Sequence, residues 1–434
     1  MSMKAEGILL SIPLLFSIST QAAENPGPPV EKPNILLILA DDLGYEKLGC
    51  YGGLGTSTPN LDKMAEKGAL FTRTYTSPVC TPSRMSLYTG SYTPRHQYTK
   101  VLPIHLGSKE VVDFENRFPT YAQSLKEAGY QTSVTGKWQL GALEFYPDHC
   151  KSAGFDSWCV WQIWKDNRKT VRYWEPTINR DGQIMRTTEK DFGPDMLTNY
   201  VIDRMKAAKE AGEPFLIHHN MLLPHDPIIE TPDDVKAGRG ASLDHMISYL
   251  DKQVGILLNA LNELHLTDQT IVFFMGDNGT FAQSPRMTTQ GEVAGGKYDL
   301  NDGGSHVPFI AYAPGRVPAN SKVNDLIDFA DFFPTICELA GANIPRHANP
   351  DGISFVKPLT GKGAGERQWV TSGIDDDFFI FDGEWRLHAK DSKLFDCRQL
   401  PNEAAADETS AEAKKAREKL APVVERLKQI AVNN

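Results

Sequence analysis

The chain has 434 residues, with 45 basic and 55 acidic side chains and a formal net charge of −10. That length accommodates one large core plus a satellite, or two domains. The acidic balance excludes general binding to nucleic acid or anionic membrane, because such surfaces reward clustered Lys and Arg, yet it leaves room for a small anion in a local basic pocket.

Met1–Lys4 carries one positive side chain, Ile8–Ile18 is a short apolar run, and Gln21-Ala22-Ala23 precedes Glu24. This order predicts a signal peptide over residues 1–23 and export to the periplasm or the medium. A buried strand or an uncleaved interfacial anchor is the alternative. The polar, Pro-rich stretch 24–32 reads as a linker, with no lipobox-like cysteine beside it. No later segment is long and apolar enough to predict a transmembrane span. The six cysteines, at 50, 80, 150, 159, 337 and 397, are too sparse for a disulfide scaffold. Cys150 and Cys159 are near enough in sequence to pair, or else are two buried thiols.

Asn34–Ala40 (NILLILA) is apolar without alternation, as a strand covered on both faces is, and ends in Asp41-Asp42. Phe215–His218 leads to Pro224-His225, Ile271–Met275 leads to Asp277-Asn278, and Val307–Ala311 follows a polar stretch ending at His306. Between them, Pro119–Ala128, Leu243–Leu264 and Asp328–Ala340 have helical patterns, the second with apolar residues at i, i+3, i+4 and i+7. The alternation predicts an α/β fold with a large, mostly parallel central sheet flanked by helices. Such sheets bind ligands at the carboxyl ends of their strands.

The composition changes after about residue 360. Trp369–Val370, Phe378–Phe381, Glu384–His388 and Lys393–Phe395 read as short strands between Asp-Gly turns. The Ala-, Glu- and Lys-rich tail from Asn402 reads as a helix interrupted or restarted at Pro422, with Val423, Leu427 and Ile430 as its stripe. The expected layout is a main domain over 33–365 and a small C-terminal antiparallel subdomain with a terminal helix over 366–434.

Asp41, Asp42, Asp277 and Asn278 gather oxygen ligands at two strand ends, which suits a hard cation. Helix capping and Asx turns are the competing use of such residues. In Cys80-Thr81-Pro82-Ser83-Arg84, Pro82 favours a helix start that sets Cys80 at an N-terminal end, with Arg84 four residues on over the same face. A structural cysteine before an ordinary helix fits the same pattern. Trp158, Trp161, Trp164, Tyr173 and Trp174, with Lys165, Arg168 and Arg172, make either a platform for sugar rings with basic residues for further sulfates or a satellite core.

CTPSR resembles the C-x-P-S-R maturation signature of the formylglycine-dependent (type I) sulfatases. NILLILADDLG, TGKWQLG, LLPHDP, FFMGDNG, GGKYDLNDGGSHVPFI and LFDCRQLPNE follow the order of motifs in that family, from about Lys32 to Glu403. The resemblance implies an alkaline-phosphatase-like sandwich and hydrolysis of an organic sulfate ester. By the same likeness, Asp41, Asp42, Asp277 and Asn278 would hold one calcium ion per chain. Cys80 would be oxidised to formylglycine by a maturation enzyme, and Arg84 would brace it. Lys137 and Lys297 would grip the sulfate, and His225 would protonate the leaving oxygen. Export and the aromatic, basic stretch point to a sulfated carbohydrate.

Two positions depart from the family pattern. Gln139 stands where the family has a histidine, and an amide cannot act as a base at neutral pH. Three readings follow: another group, His149 or His105, takes over; sulfate release is slower; or activity is lost. Trp138 stands beside the position. His306 stands where the family has an arginine. Arg95, His96, His218 and His219 are further candidates at the ligand edge, although structural histidines are the commoner case. Two other readings fit these residues: a phosphate or phosphonate ester hydrolase of the same superfamily, and a non-catalytic binder of sulfated glycans, motivated by Gln139.

Overall fold

The computed structural model describes residues 32–102, 111–166, 168–281 and 287–433. In chain order the main sheet uses β1 (Asn34–Ala40), β2 (Ala69–Tyr75), β3 (Gln131–Gly136), β4 (Ser157–Trp161), β5 (Ile178–Arg180), β6 (Gln183–Ile184), β7 (Phe215–Asn220), β8 (Thr270–Gly276), β9 (His306–Tyr312), β10 (Ser321–Val323) and β11 (Ile327–Asp328). Their spatial order is β10-β2-β9-β8-β1-β7-β3-β4-β5-β6, with β11 also paired to β2. The central run β8-β1-β7-β3-β4 is parallel.

Every residue of β1 is buried. Ile35, Leu37 and Leu39 pack on one face, while Leu36, Ile38 and Ala40 pack on the other. Helices cover both faces, so no position of β1 meets water, and the run from Ile35 to Ala40 is apolar throughout. Burying each such side chain contributes about 1.5–3 kcal/mol. Helices α1 (Pro59–Glu66), α2 (Cys80–Thr89), α3 (Tyr121–Glu127), α4 (Gly193–Ala211), α5 (Leu243–Glu263) and α6 (Phe332–Ala340) supply the two layers. α2, α3 and α6 pack with Ile35, and α1, α4 and α5 with Leu36.

β9 runs antiparallel to β8, and β2 antiparallel to β9. An apolar run carries no direction in its pattern, so the alternation of elements alone pointed to a parallel strand here. The reversal has a consequence. The polar segment before β9 and the turn from β2 into α2 reach the same edge as the ends of β1, β3, β7 and β8.

The C-terminal strands β12 (Val370–Ile374), β13 (Asp377–Phe381), β14 (Trp385–His388), β15 (Leu394–Gln399) and β16 (Asn402–Ala405) form an antiparallel meander. β16 corrects the reading of residues from Asn402 on as helix, which begins only at α7 (Ala411–Asn433). α7 runs through Pro422 without a break. Pro422 faces solvent, while Ala413, Ala416, Leu420, Val424 and Leu427 pack against the meander. Docking on that side holds the helix together, and the carbonyl deprived of a donor by Pro422 can turn to water. Cys150 and Cys159 are free thiols that belong to cores on opposite faces of the main sheet. No helix among the described residues is long and apolar enough to cross a membrane. The segment read as a signal peptide lies outside the described residues.

Candidate active site

Parallel register aligns Ala40 with Gly276, so Asp41-Asp42 and Asp277-Asn278 leave neighbouring strands side by side. All four are buried. The Asp42 N–H donates to Asp277 Oδ1 at 3.0 Å, and Asn278 Nδ2 donates to Asp42 Oδ1 at 2.9 Å. Asp42 adopts φ 66°, a left-handed conformation that costs a residue bearing a Cβ and gathers at functional sites. Two oxygens, Asp41 Oδ2 and Asn278 Oδ1, are buried with no hydrogen-bond partner. Orphaned acceptors of this kind fit a cation, which would restore what burial has taken from them. One ligand atom each from Asp41, Asp42 and His225 lies within 4.8 Å of the others, a buried cluster suited to a metal ion. That grouping brings in His225, whereas the Asp277 carboxylate turns to Arg84.

Three cations face these acids. Arg84 donates to Asp277 Oδ2 through Nε at 3.1 Å and Nη2 at 2.7 Å, and to Asn220 Oδ1 through Nη1 at 2.6 Å. Lys137 Nζ donates to Asp41 Oδ1 at 2.6 Å, and Lys297 Nζ to Asp42 Oδ2 at 2.8 Å. Burial opposes the charge on Asp41, Arg84 and Lys297, but their partners win, whereas at Asp277 burial prevails and raises the carboxyl. Asp41 is held far below the usual carboxylate range by Lys137, His225 and Arg84. Lys297 is held above its ordinary value by Asp42. Asn220 was not singled out from sequence. Its only signal was a polar side chain at the end of an apolar strand.

α2 begins at Cys80, with Val79 as its N-cap. Ser83 Oγ donates to the carbonyls of Ser77 and Val79 at 2.8 and 2.9 Å, and Thr81 Oγ1 accepts the Leu102 N–H at 3.0 Å. The small polar residues of CTPSR thus tie the turn before the helix, and Arg84 reaches the acids. Cys80 lines a cleft of about 450 Å³ together with Gln139, Trp161, Arg172, His225 and Lys297. His225 Nδ1 lies 2.6 Å from Asp226 Oδ1, and Nε2 lies 3.2 Å from Lys297 Nζ. The Asp226 carboxylate accepts a hydrogen bond from Nδ1–H, which orients the ring so that Nε2 faces the cleft beside Lys297 and Asp42. The hydrogen bond from His225 pulls the Asp226 carboxyl down to about 2.

Other expected site residues lie elsewhere. His149 accepts from Trp138 Nε1 at 2.9 Å through Nδ1 and meets the Val112 carbonyl at 2.8 Å through Nε2. Both nitrogens are engaged in the core, and burial pushes His149 down to about 4. His149 therefore does not stand in for the missing histidine at position 139. His105 lies outside the described residues. Arg95 forms a two-point pair with Asp351, and His96 is buried, with Nδ1 accepting the Tyr98 N–H at 3.1 Å. His306 is packed between Tyr45 and Tyr75 at ring separations of 4.1 and 4.8 Å, with Nδ1 3.4 Å from Asp302. His218 is stacked on Tyr88 and hydrogen-bonded to Tyr121, and His219 is buried. Trp158 and Tyr173 are core residues, whereas Trp161 and Trp164 reach the cleft.

The chain has counterparts among known proteins. A family model described as Sulfatase matches residues 33–342. An N-acetylgalactosamine-6-O-sulfatase of Bacteroides thetaiotaomicron is 29% identical over 452 residues, with 87% of this chain and 86% of the relative covered. An N-acetylgalactosamine-6-sulfatase of Canis lupus familiaris is 31% identical over 375 residues, covering 80% and 70%. Among solved structures, that of Ps i-CgsB superposes with a TM-score of 0.81 at 24% identity, covering 92% of this chain and 94% of the other.

Proposed function

The chain belongs to the sulfatase family, and from that premise we propose that it releases inorganic sulfate from a sulfated carbohydrate through a nucleophile made by oxidising Cys80. The observation that carries this reading is the cleft itself. Cys80, His225 and Lys297 share one wall system above a buried acid cluster. Asp41, Asp42, Asp277 and Asn278 would hold calcium, because carboxylate and amide oxygens suit a hard cation. When bound, it would supply positive charge that favours ionisation of the nucleophile and offsets charge on the sulfate oxygens.

The residue at position 80, as an aldehyde, adds water to become a geminal diol. One hydroxyl gives up its proton to water and attacks sulfur, the bond from sulfur to the sugar oxygen breaks, and His225 delivers its Nε2 proton to that oxygen. Lys137 and Lys297 stabilise the equatorial oxygens as charge shifts. The remaining hydroxyl then loses its proton, the aldehyde reforms, and sulfate leaves with the oxygen that attacked. Gln139 cannot take that proton. Among the described residues lining the cleft, His225, left neutral by the first step, can.

Export, inferred from residues 1–23, belongs to the same proposal. A mature N-terminus near Glu24 in exported protein would support it. The 6-sulfate of N-acetylgalactosamine, named for both relatives, is the first substrate to assay. Sulfate release that is lost in Cys80→Ala, and that exceeds phosphate release from a matched aryl ester, is the expected result. A dominant phosphatase rate, or full activity in Cys80→Ala, would overturn the reading.

A further inference from the structure

Arg84, Lys137 and Lys297 each donate a hydrogen bond to a carboxylate. Arg172, though paired in charge with Asp41, does not. Its side chain is 7% exposed, and its Nη1 is buried without a hydrogen bond. Its approach to Asp41 Oδ2, at 3.8 Å, is too long to be one. The guanidinium lies 4.2 Å from the centre of the Trp161 ring, which fixes its plane and leaves its edge as a fork of donors.

The backbone beside it is anchored. Tyr173 Oη donates to the Leu222 carbonyl at 2.9 Å and also bonds the His225 carbonyl, tying Arg172 to the loop that carries His225. Gly193, at the start of α4, packs against the Arg172 carbonyl so closely that a Cβ there would sit 2.1 Å from it. Arg172 is thus held in place at a buried site.

Lys169 joins it on the same cleft wall, from the hairpin that Trp164–Lys165 makes with Arg168–Lys169. Lys169 has no ion pair among the described residues. Although Lys169 is exposed, partial desolvation and the charge of Arg172 both weaken its hold on a proton. Two cations that repel each other, neither hydrogen-bonded to a carboxylate, are stabilised by an anion between them. Trp161, Ile163 and Trp164 line the same cleft and offer apolar area to ring carbons.

We propose that Arg172 and Lys169 form a second anion subsite, which takes a carboxylate or a second sulfate carried by the same saccharide as the sulfate to be cleaved. This rests on the sulfated-carbohydrate reading above and narrows it to sugars with two anionic groups.

The test is titration calorimetry in calcium buffer with the full chain carrying Cys80→Ser, which removes turnover. Three ligands are compared: N-acetylgalactosamine 6-sulfate, its 4,6-disulfate, and the disaccharide in which a uronate is joined to the 6-sulfate. At least one ligand with two anionic groups should bind about tenfold or more tighter than the monosulfate, and the better one identifies sulfate or carboxylate as the group read. Arg172→Gln should erase that advantage while leaving the monosulfate affinity within about threefold. Lys169→Ala, at an exposed position, should shrink it without disturbing the fold, and Arg172→Lys should keep part of it. Equal affinity for all three ligands would overturn the subsite, as would equal losses on all three in Arg172→Gln. Binding of none, with no sulfate release by the unsubstituted enzyme, would instead sink the sulfated-carbohydrate reading beneath it.

Discussion

Arg84 joins Asp277, Asn220 and the edge of Asp41 in a pocket closed to water, so its removal strands charge rather than a single contact. Arg84→Met should destabilise the fold by about 3–5 kcal/mol, as breaking a buried pair does. Urea unfolding measures this, and a loss under about 1 kcal/mol would contradict the network. His225 makes a different prediction, because its proposed work is a proton delivered to a leaving oxygen. His225→Gln should lower kcat about 10²–10⁴-fold on a sugar sulfate, whose alkoxide leaves poorly, and far less on an activated aryl sulfate. Equal losses on both would remove His225 from that role. At this scale the sequence showed the motif residues well, since CTPSR and the strand-end acids are local patterns. Asn220 and the placement of Arg172 were hidden, because each depends on which strands and loops end up adjacent. Gln139 was visible as a departure, but the engagement of His149 in the core was not.

The elements read most easily were those with one repeated demand. β1 is buried on both faces and α5 on one, and each writes that demand along its length. The direction of β9, the short polar strand β16 and the continuity of α7 were not readable, because none of them leaves a periodic mark. Pro422 gives the last of these a test. It stands on the solvent side of a helix held by its other face. Pro422→Ala should therefore stabilise the protein by about 1–2 kcal/mol, the helix-interior cost of proline reduced by its effect on the unfolded chain. A fall in Tm would mean that the proline is needed to shape the helix on the meander.

The whole molecule is held at its waist by Arg367, which pairs with Asp331, donates to Tyr92 Oη at 2.8 Å and reaches the Trp369 carbonyl at 3.1 Å. The Thr371 N–H donates to Asp328 Oδ2 at 3.0 Å beside it. Arg367→Met should loosen the meander from the main sheet, seen as faster proteolysis after residue 360 with β1 still protected. Uniform protection would contradict this. Acid should weaken the fold as a whole. Burial pushes His149 down to about 4 and His96 and His219 to about 3, against an ordinary value of 6.5. The unfolded chain binds protons that the fold refuses, so stability is full above pH 6.5 and falls as pH drops from there toward 4. Each histidine contributes up to about 1.4 kcal/mol per pH unit. Urea midpoints that stay flat from pH 7 to 5 would contradict it. The same compactness bears on the proposed nucleophile. Cys80 is 2% exposed, so the proposed oxidation would require access to it before the chain folds. The most direct measurement is mass spectrometry of the tryptic peptide Thr74–Arg84 from protein made in its native host. The account predicts an aldehyde or its hydrate in place of the Cys80 thiol. An intact thiol throughout folded, exported protein would contradict it.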